Sequence, residues 1–150
     1  MSNSQATTHD AELVLKLYDL RREAIMREAR SFIFNFMPQS IDDVMAIVGD
    51  FSLKENAYFR QVVGYWDMAA SFVLRGALNE DLARDNFQEL LFVYSRLEPF
   101  VAEVRKRTGM ERFAANMQKF VEGSPEARER VVRFQQRTAA MREQAAKAAN

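Results

Sequence analysis

Apolar residues in this chain recur three and four positions apart almost from end to end, and no stretch of useful length alternates apolar with polar. That spacing lines one face of a 3.6-residue helix, whereas a half-buried strand needs a period of two, so the pattern admits helices and disfavours a sheet. The 5 glycines and 3 prolines fall mostly where the periodicity stops and act as punctuation. A chain of 150 residues has the size of one domain, and at that length about two-thirds of the unfolded surface can be buried. The expected fold is all-α: a single-domain helical bundle of about six helices, with a flexible N-terminus at residues 1–9, the domain over 10–147 and a frayed end at 148–150.

Caps and breaks divide the pattern. The first helix is predicted from after Thr8 to about Phe36, with Leu13, Leu17, Leu20 and Ala24 in register and Pro38 forbidding continuation. Ser40 with Asp43 opens a short second helix that Gly49 closes, and Ser52 with Glu55 opens a third from about Leu53 to Arg75. That third helix, with Phe59, Val62, Trp66, Ala69 and Val73 on one face, is expected at the centre of the core. Asn79 caps a fourth helix whose stripe runs from Leu82 to Val104; Pro99 lies inside it and predicts a kink near Arg96 to Glu98. A fifth helix spans about Met110 to Glu122, and Ser124-Pro125-Glu126 starts the last.

The residue inventory removes whole classes of chemistry. There is no cysteine, hence no thiolate nucleophile, thiolate metal site or disulfide, and the single histidine, His9, cannot build a triad or a multi-histidine metal site. Phosphate-binding glycine motifs are missing. No run approaches the roughly 20 apolar residues of a spanning helix, and the first eight residues lack a signal-peptide pattern. The expectation is a cytoplasmic protein without membrane association, without a catalytic, metal or cofactor residue that can be named, and probed for enzymatic activity only as a secondary hypothesis.

Two surfaces stand out as candidates. On the third helix Asn56, Arg60, Gly64, Asp67 and Ser71 form a polar line through apolar surroundings, and Tyr58, Arg60, Trp66 and Asp67 are the candidate ligand-binding residues. The plain alternative is a solvent strip, or charges that satisfy neighbouring helices. On the last helix, Ala127, Val131, Phe134, Thr138, Met141, Ala145 and Ala148 form a thin coiled-coil-like seam flanked by Arg128, Arg130, Arg137 and Arg142, the candidate interaction surface. Four cationic flanks oppose a parallel homodimeric zipper and favour an acidic counterpart. Residues 37–100 supply one, with five basic against ten acidic side chains, while residues 101–150 hold eleven against six. Asp81, Asp85 and Glu89 share one predicted helix face, read as a solvated acidic strip rather than a cation site.

The runs Asn56-Ala57-Tyr58-Phe59-Arg60, Gly64-Tyr65-Trp66-Asp67 and Gly76-Ala77-Leu78, with the segment from Tyr94 to Arg105 around Pro99, resemble an uncharacterised helical domain family of bacteria over roughly residues 10–110. The resemblance implies a helical fold marked by these residues and transfers no activity and no site.

The leading functional expectation is an all-helical interaction or regulatory module that self-associates or docks on a protein partner, its Phe- and Met-rich apolar side adaptable to contact. The rival is a small-molecule-binding protein, or an enzyme without histidine or cysteine, built around Arg60 and Asp67. A third reading is nucleic-acid binding through the arginines of the last helix, which lacks aromatic or groove-reading partners.

Overall fold

The computed structural model describes residues 5–150, and among them every regular element is helical. In chain order these are α1 (Thr8–Leu20), α2 (Ala24–Asn35), α3 (Ile41–Val48), α4 (Lys54–Leu74), α5 (Glu80–Asn86), α6 (Gln88–Leu97), a 3-10 turn (Glu98–Phe100), α7 (Val101–Thr108), α8 (Ala115–Glu122) and α9 (Pro125–Ala148). α4 packs against α2, α3, α5 and α8, and α9 lies along α6 and α8. α4 buries Phe59, Val62, Val63, Trp66, Ala69, Ala70 and Val73 together with Asn56. Leu78, Leu90, Leu97, Met117 and Phe120 are among the side chains from other elements buried against it. Each such large side chain withdrawn from water contributes about 1.5–3 kcal/mol.

Several breaks differ from the sequence expectation, each for a local reason. The first predicted helix is two. The chain turns at Arg21–Glu23, leaving Leu20 exposed, and the Glu23 carboxylate caps α2 by accepting the Met26 N–H at 2.9 Å. The predicted fourth helix is interrupted at Phe87, which has φ −96° and ψ 41° and buries its ring in the core. It is interrupted again at Pro99, which the chain passes as a 3-10 turn, a position where proline's missing N–H costs little. The fifth helix starts at Ala115, not Met110. Ser52 does not cap α4. Its N–H and hydroxyl both bond Asp50 Oδ1, at 2.9 and 2.6 Å, leaving Leu53 as a cap with no side-chain bond.

The termini also carry detail. Of the stretch expected to be flexible, residues 1–4 lie outside the described residues, and Thr7 already forms a capping box with Asp10. Asp10 Oδ1 further accepts the Asn79 N–H at 2.8 Å and so ties α1 to the start of α5. His9 is an exposed first-turn residue beside Glu12. At the other end α9 buries Ala127, Val131 and Thr138, so the first part of the seam packs within its own chain, whereas Met141, Ala145 and Ala148 face solvent.

Candidate functional site

α4 is the element from which the site is built, because its side chains leave in three directions and each direction meets a different neighbour. Tyr65 donates its hydroxyl to the Leu17 carbonyl of α1. Burial holds that phenol up at about 12, offset in part by Arg21. Trp66, 1% exposed, donates Nε1–H to Glu89 at 3.3 Å. Asp67 reaches α8: Oδ1 accepts the backbone N–H of Asn116 at 2.9 Å and of Met117 at 3.0 Å, and Oδ2 accepts from Asn116 Nδ2 at 2.8 Å. The helix needs that outside cap, since its own N-cap, Ala114, has no polar side chain and sits at φ +53°.

Glu89 anchors a second network. Its carboxylate, 8% exposed, accepts Arg30 Nη2 at 2.6 Å and Arg30 Nε at 2.9 and 3.0 Å, and Arg21 Nη2 at 3.2 Å. The Arg21 guanidinium also lies 5.3 Å over the Trp66 ring. Asp81, Asp85 and Glu89 therefore do not form one acidic face. The break at Phe87 turns Glu89 inward, where two cations occupy it, and no cluster of three metal-ligating side chains occurs among the described residues.

On the opposite side of α4 runs an apolar groove of about 240 Å³. Phe51, Phe59 and Val63 form much of its lining, Met110 and Phe113 close it from the turn before α8, and Arg60, Gly64 and Asp67 stand along its polar edge. Asn56 organises one end. Its Nδ2 donates to the Ile47 and Val48 carbonyls at the end of α3, at 2.9 and 3.1 Å, and its Oδ1 accepts Arg60 Nε at 2.8 Å. Thus tethered, Arg60 lies 5.4 Å over the Phe51 ring. Phe51 is 72% exposed and Met110 43%. A Cβ built at Gly64 would meet no atom within 4 Å, so the glycine opens the groove rather than admitting another backbone. The turn is held by Arg105, which donates twice to the Phe113 carbonyl, at 2.8 and 3.0 Å.

Of the four candidate ligand-binding residues, then, Arg60 and Asp67 share the groove, while Tyr58 and Trp66 do not line it. Tyr58 bonds Glu28 on α2, and Trp66 belongs to the Glu89 network. The separation follows from helix geometry, since positions 58 and 66 do not lie on the same face of α4 as 60, 64 and 67. Of the groove residues outside α4, Phe51 carries no helical signal, and Met110 and Phe113, expected in the fifth helix, lie instead in the irregular turn before α8, so spacing does not point any of the three at α4.

The four candidate arginines of α9, Arg128, Arg130, Arg137 and Arg142, also part company. Arg128 pairs with Glu98 from the acidic middle of the chain, and Arg142 donates to the Pro38 carbonyl. Arg130 and Arg137 remain exposed. They do not make a single basic face, because α9 turns two of them onto its own chain.

Nothing among curated proteins or solved structures matches this chain. A family match ends at Ser124, the cap of α9, so it takes in α1 to α8, with all of the α4 staples and the whole groove. Through residues 6–124 the chain belongs to the family described as a domain of unknown function (DUF4760).

Proposed function

We propose that this protein is a cytoplasmic helical interaction module, organised around α4, whose groove receives apolar side chains from a protein partner, a second copy of the chain included. The observation that carries the reading is the exposed Phe51–Met110 rim over an apolar cleft of about 240 Å³. Metabolite pockets usually fall at about 300–1,000 Å³ and, within a mostly apolar lining, present a few polar groups free to meet the ligand. Here the two charged candidates have other work: Asp67 caps α8, and Arg60 is tethered to Asn56. What remains is a slot suited to one or two apolar side chains, with an aromatic at its rim of the kind that anchors interfaces.

Gly64 provides the test. In Gly64→Leu the new side chain enters the groove from open space, while loss of a mid-helix glycine contributes about 0.5–1 kcal/mol to stability. The fold should survive and binding should not. A photo-crosslinker at position 51 should give a defined protein adduct, with self or partner, that Gly64→Leu abolishes and that a crosslinker at exposed Leu15 does not give. Equal adducts from both positions would refute this reading, and a metabolite that raises the melting temperature of the wild type and not of Gly64→Leu would replace it with the small-molecule one.

A further inference from the structure

A second cavity, of about 460 Å³, lies away from the α4 groove, between the linker after α2, the end of α6 with its 3-10 turn, and α9. Two arginines line it. Arg96 is 7% exposed, donates Nη1–H to the Phe36 carbonyl at 2.8 Å and lies 4.6 Å over the Phe92 ring. Arg142 donates to the Pro38 carbonyl two residues further along the same linker. Each keeps a buried Nε–H with no partner. Neither forms an ion pair with a carboxylate among the described residues.

The nearby carboxylates are committed elsewhere. Glu98 lines the same cavity but is held by Arg128. Asp43, which feels Arg142, accepts the backbone N–H groups of Gln39 and Ser40 at 2.8 and 3.1 Å. Burial first, and Arg142 second, push the Arg96 guanidinium below the usual arginine value; arginine nevertheless stays charged at neutral pH. Carbonyl oxygens satisfy donors without cancelling charge, so the fold holds two neighbouring cations together at a cost.

We propose that this cavity binds a small molecule bearing a phosphate or carboxylate oxyanion, with Arg96 and Arg142 as its paired cationic receptors. An oxyanion offsets both charges at once, and the guanidinium fork matches its geometry. The volume lies within the range of metabolite pockets, and Pro99 and Phe100 give an apolar wall for the rest of the molecule. Arg142 belongs to α9, beyond the family match, so the site is completed by a segment outside residues 6–124.

The test uses the full chain, titrated calorimetrically and melted with sodium phosphate and, separately, sodium citrate, against sodium chloride at equal ionic strength. Saturable one-to-one binding of phosphate or of citrate, with a rise in melting temperature that chloride does not give, is expected, and the salt that binds identifies the oxyanion. Arg142→Gln should weaken it at least roughly tenfold, the loss of one charge-assisted contact, while Arg137→Gln should not. Arg142 is not one of the core residues and lies near the end of α9, so its variant stays informative even where Arg96→Gln fails to fold. Identical melting in all three salts, or unchanged affinity in Arg142→Gln, would overturn the proposal, as would binding of an acidic peptide with no small anion bound.

Discussion

Replacing Glu89 by leucine is the sharpest probe of how this fold is held together. Leucine keeps much of the side-chain volume, so the change removes charge while leaving little void. Arg21 and Arg30, with side chains 15% and 25% exposed, would then lack their shared counter-ion, and Trp66 its acceptor. Breaking a buried pair from one side costs about 3–5 kcal/mol. Water reaches the edges of both arginines, so the lower end, about 3 kcal/mol, is the better figure. For a chain of this size that lowers the melting temperature by about 6–12 °C. Urea titration followed by far-ultraviolet circular dichroism measures the loss, and Trp66 emission reports the local change. The decisive companion is Glu89→Leu with Arg21→Met and Arg30→Met. If the penalty comes from stranded cations, the triple variant regains most of the stability. A single variant losing less than about 1 kcal/mol, or a triple variant as weak as the single, would refute this account of the network.

Further outcomes are expected elsewhere in the molecule. Asp67→Ala removes the outside cap of α8 and should cost about 1–2 kcal/mol in chemical denaturation, where an ordinary exposed Asp→Ala change would be close to neutral. Tyr65 and Tyr94 are both held up at about 12 by burial. Their folded values lie above the unfolded value of about 10, so the stability tied to the neutral phenols is complete below that pH and falls as pH rises through 12. Melting curves between pH 9 and 12 should therefore drop less steeply in Tyr94→Phe than in the wild type. Truncation after Arg142 removes only exposed residues of α9 and should leave the unfolding free energy within about 0.5 kcal/mol.

Much of the fold was legible because its signals are local. Ser40, Asn79 and Ser124 each cap the helix they were expected to start, since a cap needs only its own side chain and an N–H two or three residues on. Pro99 likewise interrupts its helix for reasons carried within one turn. The failures came from competing partners that spacing does not reveal, one of them local and one far along the chain. Ser52 carried a capping signature as good as Ser40's, yet Asp50 took both its donors. Leu20 continued the apolar stripe of α1 and still lies in solvent, because the chain turns at Arg21 and sends that arginine to Glu89.

The candidate site divides the same way. The polar line of α4 singled out Arg60, Gly64 and Asp67, which do share an edge of the groove. Periodicity assigns a residue to a helix face; it does not say which neighbour that face meets. Sequence by itself determined an all-helical chain with no thiol chemistry and no imidazole pair, because those follow from spacing and inventory. Tertiary structure alone decided that Glu89 would be a half-buried anion between two arginines, that Asp67 would cap α8, and that Arg96 and Arg142 would meet across one cavity. Each of those contacts joins residues far apart in the chain, and their partners are chosen by packing, for which the order of the residues carries no local sign.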